Sequence, residues 1–155
     1  MSFEKDSIRN VNVHYGPRPV NESYGARSVQ DLVKRAVWKF DFKNLPAAGT
    51  TNQEQVIPAN STIIAVRLIP TVNWATLTSL DVGVSKSSDG SVIDADGLVA
   101  AATTANLIKG KVTTGAGAYV GVTIGADAAE VTVGVNGTAP TAGAAILIVD
   151  YITLA

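Results

Sequence analysis

The sequence predicts an all-β fold: an antiparallel β-sandwich or jelly roll over residues 31–155, preceded by an extended N-terminal arm over residues 1–30. Two observations predict it. Apolar runs are short and alternate at period two, the spacing of a half-buried strand. Clusters of Gly, Pro and Asp separate them, so many short strands and tight turns share one body. The organising stretch is Val56–Val72, where Ile57-Pro58-Ala59-Asn60 turns the chain into a strand over Ser61–Ile69. Thr62, Ile64, Val66 and Leu68 fall on one face of it, and Ile63, Ala65, Arg67 and Ile69 on the other.

Residues 1–30 have no sustained period, and Gly16-Pro17 and Arg18-Pro19 interrupt any regular element. The residue before each proline is held extended, so this segment is expected to run as a stretched arm. Phe3, Ile8, Val11, Val13, Tyr15 and Tyr24 are spaced along it as anchors. Apolar anchors on a free arm would be exposed, so the arm is expected to dock, on its own body or on another chain. Ser28–Leu32 reads as a short helical turn leading into the body.

Val33–Phe42 is the first clear strand, with Ala36, Trp38, Phe40 and Phe42 facing inward and Arg35, Val37, Lys39 and Asp41 outward. Thr50–Gln55 reads as a polar loop. Pro70 marks a strand end or an edge, because it cannot donate to a ladder. Val72–Trp74 continues extended, and Thr76–Ser79 is loop. Leu80, Val82 and Val84 alternate with Asp81, Gly83 and Ser85 as a further strand, and Ser88-Asp89-Gly90-Ser91 carries the Asp-Gly pair of a type I′ hairpin. Gly97–Leu107 lacks strand alternation, and its alanines allow a short helix. Lys111–Thr114, Tyr119–Ile124, Glu130–Val135 and Ala145–Leu154 complete the strands. Val120, Val122 and Ile124 are expected to pair with Val131, Val133 and Val135 as a hairpin across Gly125–Ala129. Asn136–Gly143 is a Gly/Pro loop, and the last strand reads as buried on nearly both faces.

Composition narrows the function classes. At 155 residues one body with an appended arm is expected, long enough to bury a core. There is no cysteine, which excludes disulfides and thiolate metal sites. Charged residues make up 16% of the chain, against roughly 25% in an ordinary soluble domain, which suits a surface packed against neighbours. A net charge of −1 gives no global basic field for nucleic acid. Residues 1–45 hold eight Lys/Arg and five Asp/Glu, and residues 46–155 hold four and eight, an asymmetry that could serve an acidic partner surface or be ordinary solvated charge. Met1–Asp6 opens polar with no apolar run behind it, and no run approaches the roughly 18 apolar residues of a membrane span. Neither a signal peptide nor a membrane partner is expected, and assembly is expected in a cytoplasm.

No constellation for catalysis emerges. The only histidine, His14, stands in the arm without a second imidazole, so no metal or cofactor site is built on it. Asp94-Ala95-Asp96-Gly97, with Asp89 nearby, matches the start of a calcium loop but lacks the later ligands, so a turn-forming pair is the better reading, with a weak surface cation as the alternative. Asp127 and Glu130 flank a turn where carboxylates are usually solvated. Gly115–Gly117 lacks the Lys-Ser/Thr of a phosphate loop. Trp38 lies on a core face; Trp74, at a strand end, could be core or a stacking surface. Arg35, Lys39 and Lys43 form a basic row without interleaved aromatics, so no nucleic-acid platform is expected. An inert structural or binding module is what remains.

Several stretches fit one family. Tyr24-Gly25-Ala26-Arg27 leads into Val33-Lys34-x-Ala36-Val37-Trp38-x-Phe40-x-Phe42. Ile-Pro-Ala-x-Ser-x-Ile follows at Ile57–Ile63, then Ile93-Asp94-Ala95-Asp96-Gly97-Leu98. The chain closes with Gly137-Thr138-Ala139-Pro140-Thr141-Ala142-Gly143-x-Ala145 and Asp150-Tyr151-Ile152. Over most of residues 24–155 this pattern resembles small virion proteins of tailed bacteriophages that cement or decorate the head. It rests on pattern rather than on a diagnostic site. The resemblance implies a sandwich body on the capsid exterior, often trimeric at local threefold positions, with arms that clip neighbouring major capsid proteins together. It makes the arm residues His14, Tyr15, Arg18, Tyr24 and Arg27 the expected partner-binding set, aromatic and Arg side chains being common interface anchors. The alternative is a receptor- or glycan-binding module of a virion fibre or tail, which would need an exposed aromatic site, with Trp74 as the candidate.

Overall fold

A computed structural model describes residues 4–6, 12–14, 33–45 and 49–153, with 4–6, 12–14 and 49–55 described by their backbone. The chain divides into two compact units, Met1–Asp31 and Leu32–Ala155. In the first, β1 (Glu4–Asp6) and β2 (Asn12–His14) pair antiparallel, Glu4 opposite His14, a small hairpin that the lack of periodicity did not reveal. The helical turn expected over Ser28–Leu32 lies outside the described residues.

Among the described residues, the second unit has eight strands: β3 (Val33–Asp41), β4 (Gly49–Ile57), β5 (Ser61–Ala75), β6 (Ser79–Lys86), β7 (Val92–Ala102), β8 (Thr113–Thr114), β9 (Ala129–Asn136) and β10 (Ala142–Thr153). They form two four-stranded antiparallel sheets, ordered β3-β10-β5-β8 and β4-β9-β6-β7. From β3 to β10 every connection crosses between the sheets except the β6–β7 hairpin. Eight strands wound this way through two sheets of four follow the jelly-roll pattern.

Alternation builds the core. Trp38 and Phe40 of β3, Val66 and Leu68 of β5, and Leu147 and Val149 of β10 point inward from one sheet. Leu80, Val82 and Val84 of β6 and Val131, Val133 and Val135 of β9 meet them from the other, in one apolar cluster. Phe40 and Trp74 stand with ring centroids 6.0 Å apart, near the small β10 residues Gly143 and Ala145. A Cβ on Gly143 would lie 2.2 Å from Trp74 Cδ2, and its φ is +142°, so only glycine fits beneath the indole.

Several elements differ from expectation, each for a local reason. The face assignment on β5 holds for Val66 and Leu68 and flips before them: Ile63 is fully buried and Ile64 is 42% exposed. The register shift between Asp150↔Ala65 and Tyr151↔Ile63 leaves Ile64 as an extra residue, a bulge that exchanges the two faces. Pro70 neither ends β5 nor lies exposed. It is buried within the strand beside a second register shift, between Ala144↔Val72 and Ala145↔Pro70, where a proline is tolerated. The polar segment 50–55 is not a loop but part of β4, paired with β9.

The Gly97–Leu107 helix is absent. Residues 97–102 belong to β7, and only a single turn, Leu107 N to Thr103 O at 3.1 Å, follows. The Asp-Gly hairpin joins β6 to β7, closed by Lys86 N to Ser91 O at 2.8 Å. Gly90 (φ +72°) takes a left-handed conformation and Asp89 does not, so the turn is not type I′.

Tyr119–Ile124 is not a regular strand and does not pair with β9. Gly121 N donates to Ile63 O (2.7 Å) and Ile124 N to Ser61 O (2.7 Å), which lays this segment along β5. Strand β9 has β4 and β6 on its two sides and no edge left for it. Beyond β8, backbone bonds from Gly117 N to Leu98 O (3.3 Å) and Tyr119 N to Gly97 O (2.8 Å) tie the β8 side of one sheet to β7 of the other.

Candidate binding face

The most organised polar group among the described residues lies on the outer face of the β3-β10-β5-β8 sheet. Asp150 interrupts an apolar strand and is 5% exposed. A carboxylate held there needs partners. Arg35 lies directly opposite on β3, and its Nε and Nη2 donate to Oδ1 at 2.6 Å and Oδ2 at 3.0 Å. Arg67 of β5, opposite Ile148, reaches across diagonally and donates from Nη2 to Oδ2 at 2.6 Å. Both carboxylate oxygens are therefore taken by guanidinium groups. The Arg35 bond, reinforced by the charges of Arg35 and Arg67, holds the Asp150 carboxyl below the usual carboxylate range despite the opposing effect of burial. The same bond raises the Arg35 guanidinium above its ordinary value.

The two guanidiniums themselves stay in water, with side chains 53% and 39% exposed. The face thus presents two positioned cations above one buried anion. Along β10 from Asp150 come Ile148, Ile146 and Ala144, all half-buried, flanked by Val37 and Lys39 on β3 and by Ile69 on β5. At the far end a shallow groove of about 400 Å³ lies among Lys39, Asp41, Asn44, Thr71, Ala144 and Ile146. An apolar strip rimmed by fixed positive charge can hold an acidic protein surface.

The sequence-predicted residues are placed differently. His14 is in β2, paired through its backbone with Glu4. Tyr15, Arg18, Tyr24 and Arg27 lie outside the described residues. Trp38 is core, 4% exposed, as its strand face implied. Trp74 is 5% exposed and packs on Phe40, so it is no stacking surface, and the glycan-binding alternative loses its candidate residue. Asp94 and Asp96 lie inside β7 rather than in the expected turn, and Asp94 Oδ1 accepts from Asp96 N at 3.3 Å within the strand. Asp127 pairs with Lys86 at 3.6 Å. Of the basic row, Arg35 is committed to Asp150, while Lys39 and Lys43 are exposed. The Arg35–Asp150–Arg67 triad itself was missed. Its signal was one acid inside the apolar run Ala145–Ile152.

No protein-family pattern and no curated protein matches this chain. Solved structures do. A chain of the capsid of Ralstonia phage GP4 is similar with a TM-score of 0.61 at 23% identity, covering 90% of this chain and 92% of that one. A chain of the cyanophage Pam1 capsid asymmetric unit gives a TM-score of 0.59 at 14% identity, over 90% and 94% of the two chains. A chain of the acid-stable capsid of Helicobacter pylori bacteriophage KHP30 gives 0.52 at 19% identity, over 78% and 87%. The likeness is one of fold. The neighbours are chains of phage capsids, the class of particle whose proteins the sequence motifs resemble.

Proposed function

We propose that this chain is a structural protein of a bacteriophage virion, without enzymatic activity, that binds the outside of the head and cements neighbouring major capsid proteins. The observation that carries this reading is the fold it shares with chains of phage capsids over most of its length. The motif resemblance supports the finer assignment to a decoration role. A rigid body with a charged, partly apolar outer face suits docking rather than turnover. The N-terminal segment, with His14, Tyr15, Arg18, Tyr24 and Arg27, is the strap that reaches neighbouring subunits, and the bodies gather as a small oligomer, a trimer by the resemblance. Each contact is modest, and the sum over a closed lattice is large. Binding the assembled shell in preference to its free subunits stabilises the shell by mass action. On this reading the protein is assembled in the host cytoplasm and resides on the capsid exterior.

The test is a truncation lacking residues 1–29, mixed with particles stripped of the protein and sedimented. The expected result is a folded body that no longer binds. Full occupancy by the truncated protein would overturn the role of the strap.

A further inference from the structure

Charge is segregated between the two sides of the body. The outer face of the β3-β10-β5-β8 sheet and the turn after β3 carry Arg35, Lys39, Lys43 and Arg67 against Asp41 and Asp150. The β6–β7 hairpin and the connection before β9 carry Asp89, Asp94, Asp96 and Asp127 against Lys86. These acids share one end of the other sheet. Ser87 N donates to Ala128 O at 2.9 Å, Lys86 Nζ lies 3.6 Å from Asp127 Oδ2, and Asp94 pairs with Val84 close to the hairpin. Each end also has an apolar element. The basic face has Val37, Ile69, Ile146 and Ile148. The acidic end has Val92, at 58% the most exposed large apolar side chain among the described residues.

We propose that a second copy of this chain seats its acidic β6–β7 end on the basic outer face of the β3-β10-β5-β8 sheet, so that the protein self-associates head to tail. The charge complementarity lies within one sequence, which favours a second copy over an unrelated acidic partner. The two patches differ, so every copy gives one contact and receives another, a heterologous arrangement that forms a ring where the rotation closes. Opposite fields steer the encounter and fix the orientation, and the apolar centres lose contact with water when they meet. The buried Asp150 holds Arg35 and Arg67 in place before contact, which lowers the ordering cost of binding. The inference names the surface of the oligomer proposed above and rests on that part of the reading.

Sedimentation velocity of the full-length protein tests it. Self-association is expected at low salt, with the apparent dissociation constant rising about tenfold or more at high salt, where exposed charges are screened. Lys39→Glu with Lys43→Glu reverses the basic face and leaves the Arg35–Asp150–Arg67 triad intact. Asp96→Lys with Asp127→Lys reverses the acidic end. Each double variant is expected to be monomeric at low salt with an unchanged circular dichroism spectrum, and an equal mixture of the two is expected to associate again. A wild-type protein monomeric at low salt, reversed variants that associate as the wild type does, or a mixture that stays monomeric would each overturn the proposal. Co-sedimentation of the wild type with particles, run in parallel, separates the two readings. Particle binding without self-association overturns this inference alone, whereas self-association without particle binding overturns the virion role instead.

Discussion

At the scale of single residues, Asp150 controls the outer face. Its carboxyl is held below its unfolded value, so its contribution to stability is fully present above about pH 4 and is lost as pH falls through the lower folded value. Denaturant midpoints measured between about pH 2 and pH 6 are expected to fall at the acid end for the wild type, with a shallower fall for Asp150→Asn. At neutral pH the same substitution is expected to cost about 1–3 kcal/mol, because a buried group loses its charge-assisted bonds to two half-exposed arginines. Equal acid sensitivity in both proteins would mean that other groups carry it. In the core, Trp38→Ala is expected to cost about 3–5 kcal/mol as a large truncation. An unchanged denaturation midpoint would mean that the β3 faces are reversed. Thr132→Val should act in the opposite direction: among the described residues the Thr132 hydroxyl is buried without a hydrogen-bond partner. Removing it is expected to stabilise the fold by about 1 kcal/mol. A lowered midpoint would show that the hydroxyl has a partner in solution.

At the scale of elements, legibility depended on whether a strand keeps its period. β3 pairs with β10 without a register shift, and its inward Trp38 and Phe40 and outward Lys39 could be read directly. β5 carries an extra residue at Ile64, and no alternation pattern shows where such an insertion falls. β4 was unreadable because Thr50–Gln55 is polar, and its place in the sheet comes from pairing with β9 rather than from an apolar face. β7 looked helical because its alanines mask three register shifts against β6. The valines of 120–124 and 131–135 matched in spacing, but spacing does not identify the partner, and β9 already had two. The triad was legible only as an anomaly, since Asp150, Arg35 and Arg67 are far apart in sequence and meet only when β10 lies between β3 and β5.

The irregular stretch of β7 has a visible requirement. A Cβ on Gly83 would lie 2.1 Å from Asp94 O and 2.4 Å from the Ala95 carbonyl carbon, so β6 needs a glycine where β7 passes over it. Gly83→Ala is expected to destabilise by about 1–3 kcal/mol in chemical denaturation. Gly125→Ala, with nothing within 4 Å of the added Cβ, serves as the neutral control. Equal midpoints for the two variants would show that β7 yields at no cost.

At the scale of the molecule, two sheets wound around one core leave an outer face free to be functional. Low overall charge does not mean featureless charge. Among the described residues, the β3-β10-β5-β8 sheet carries more basic than acidic side chains, and the β6–β7 end of the other sheet more acidic than basic ones. The fold that carries this sorting is shared with chains of phage capsids. The most direct measurement is a cryo-EM reconstruction of the particle that carries this chain. The expected result is density for the two-sheet body on the outer surface of the head, bridging neighbouring major capsid proteins. The same body found only in tail or fibre density, or missing from the particle, would contradict the proposed role.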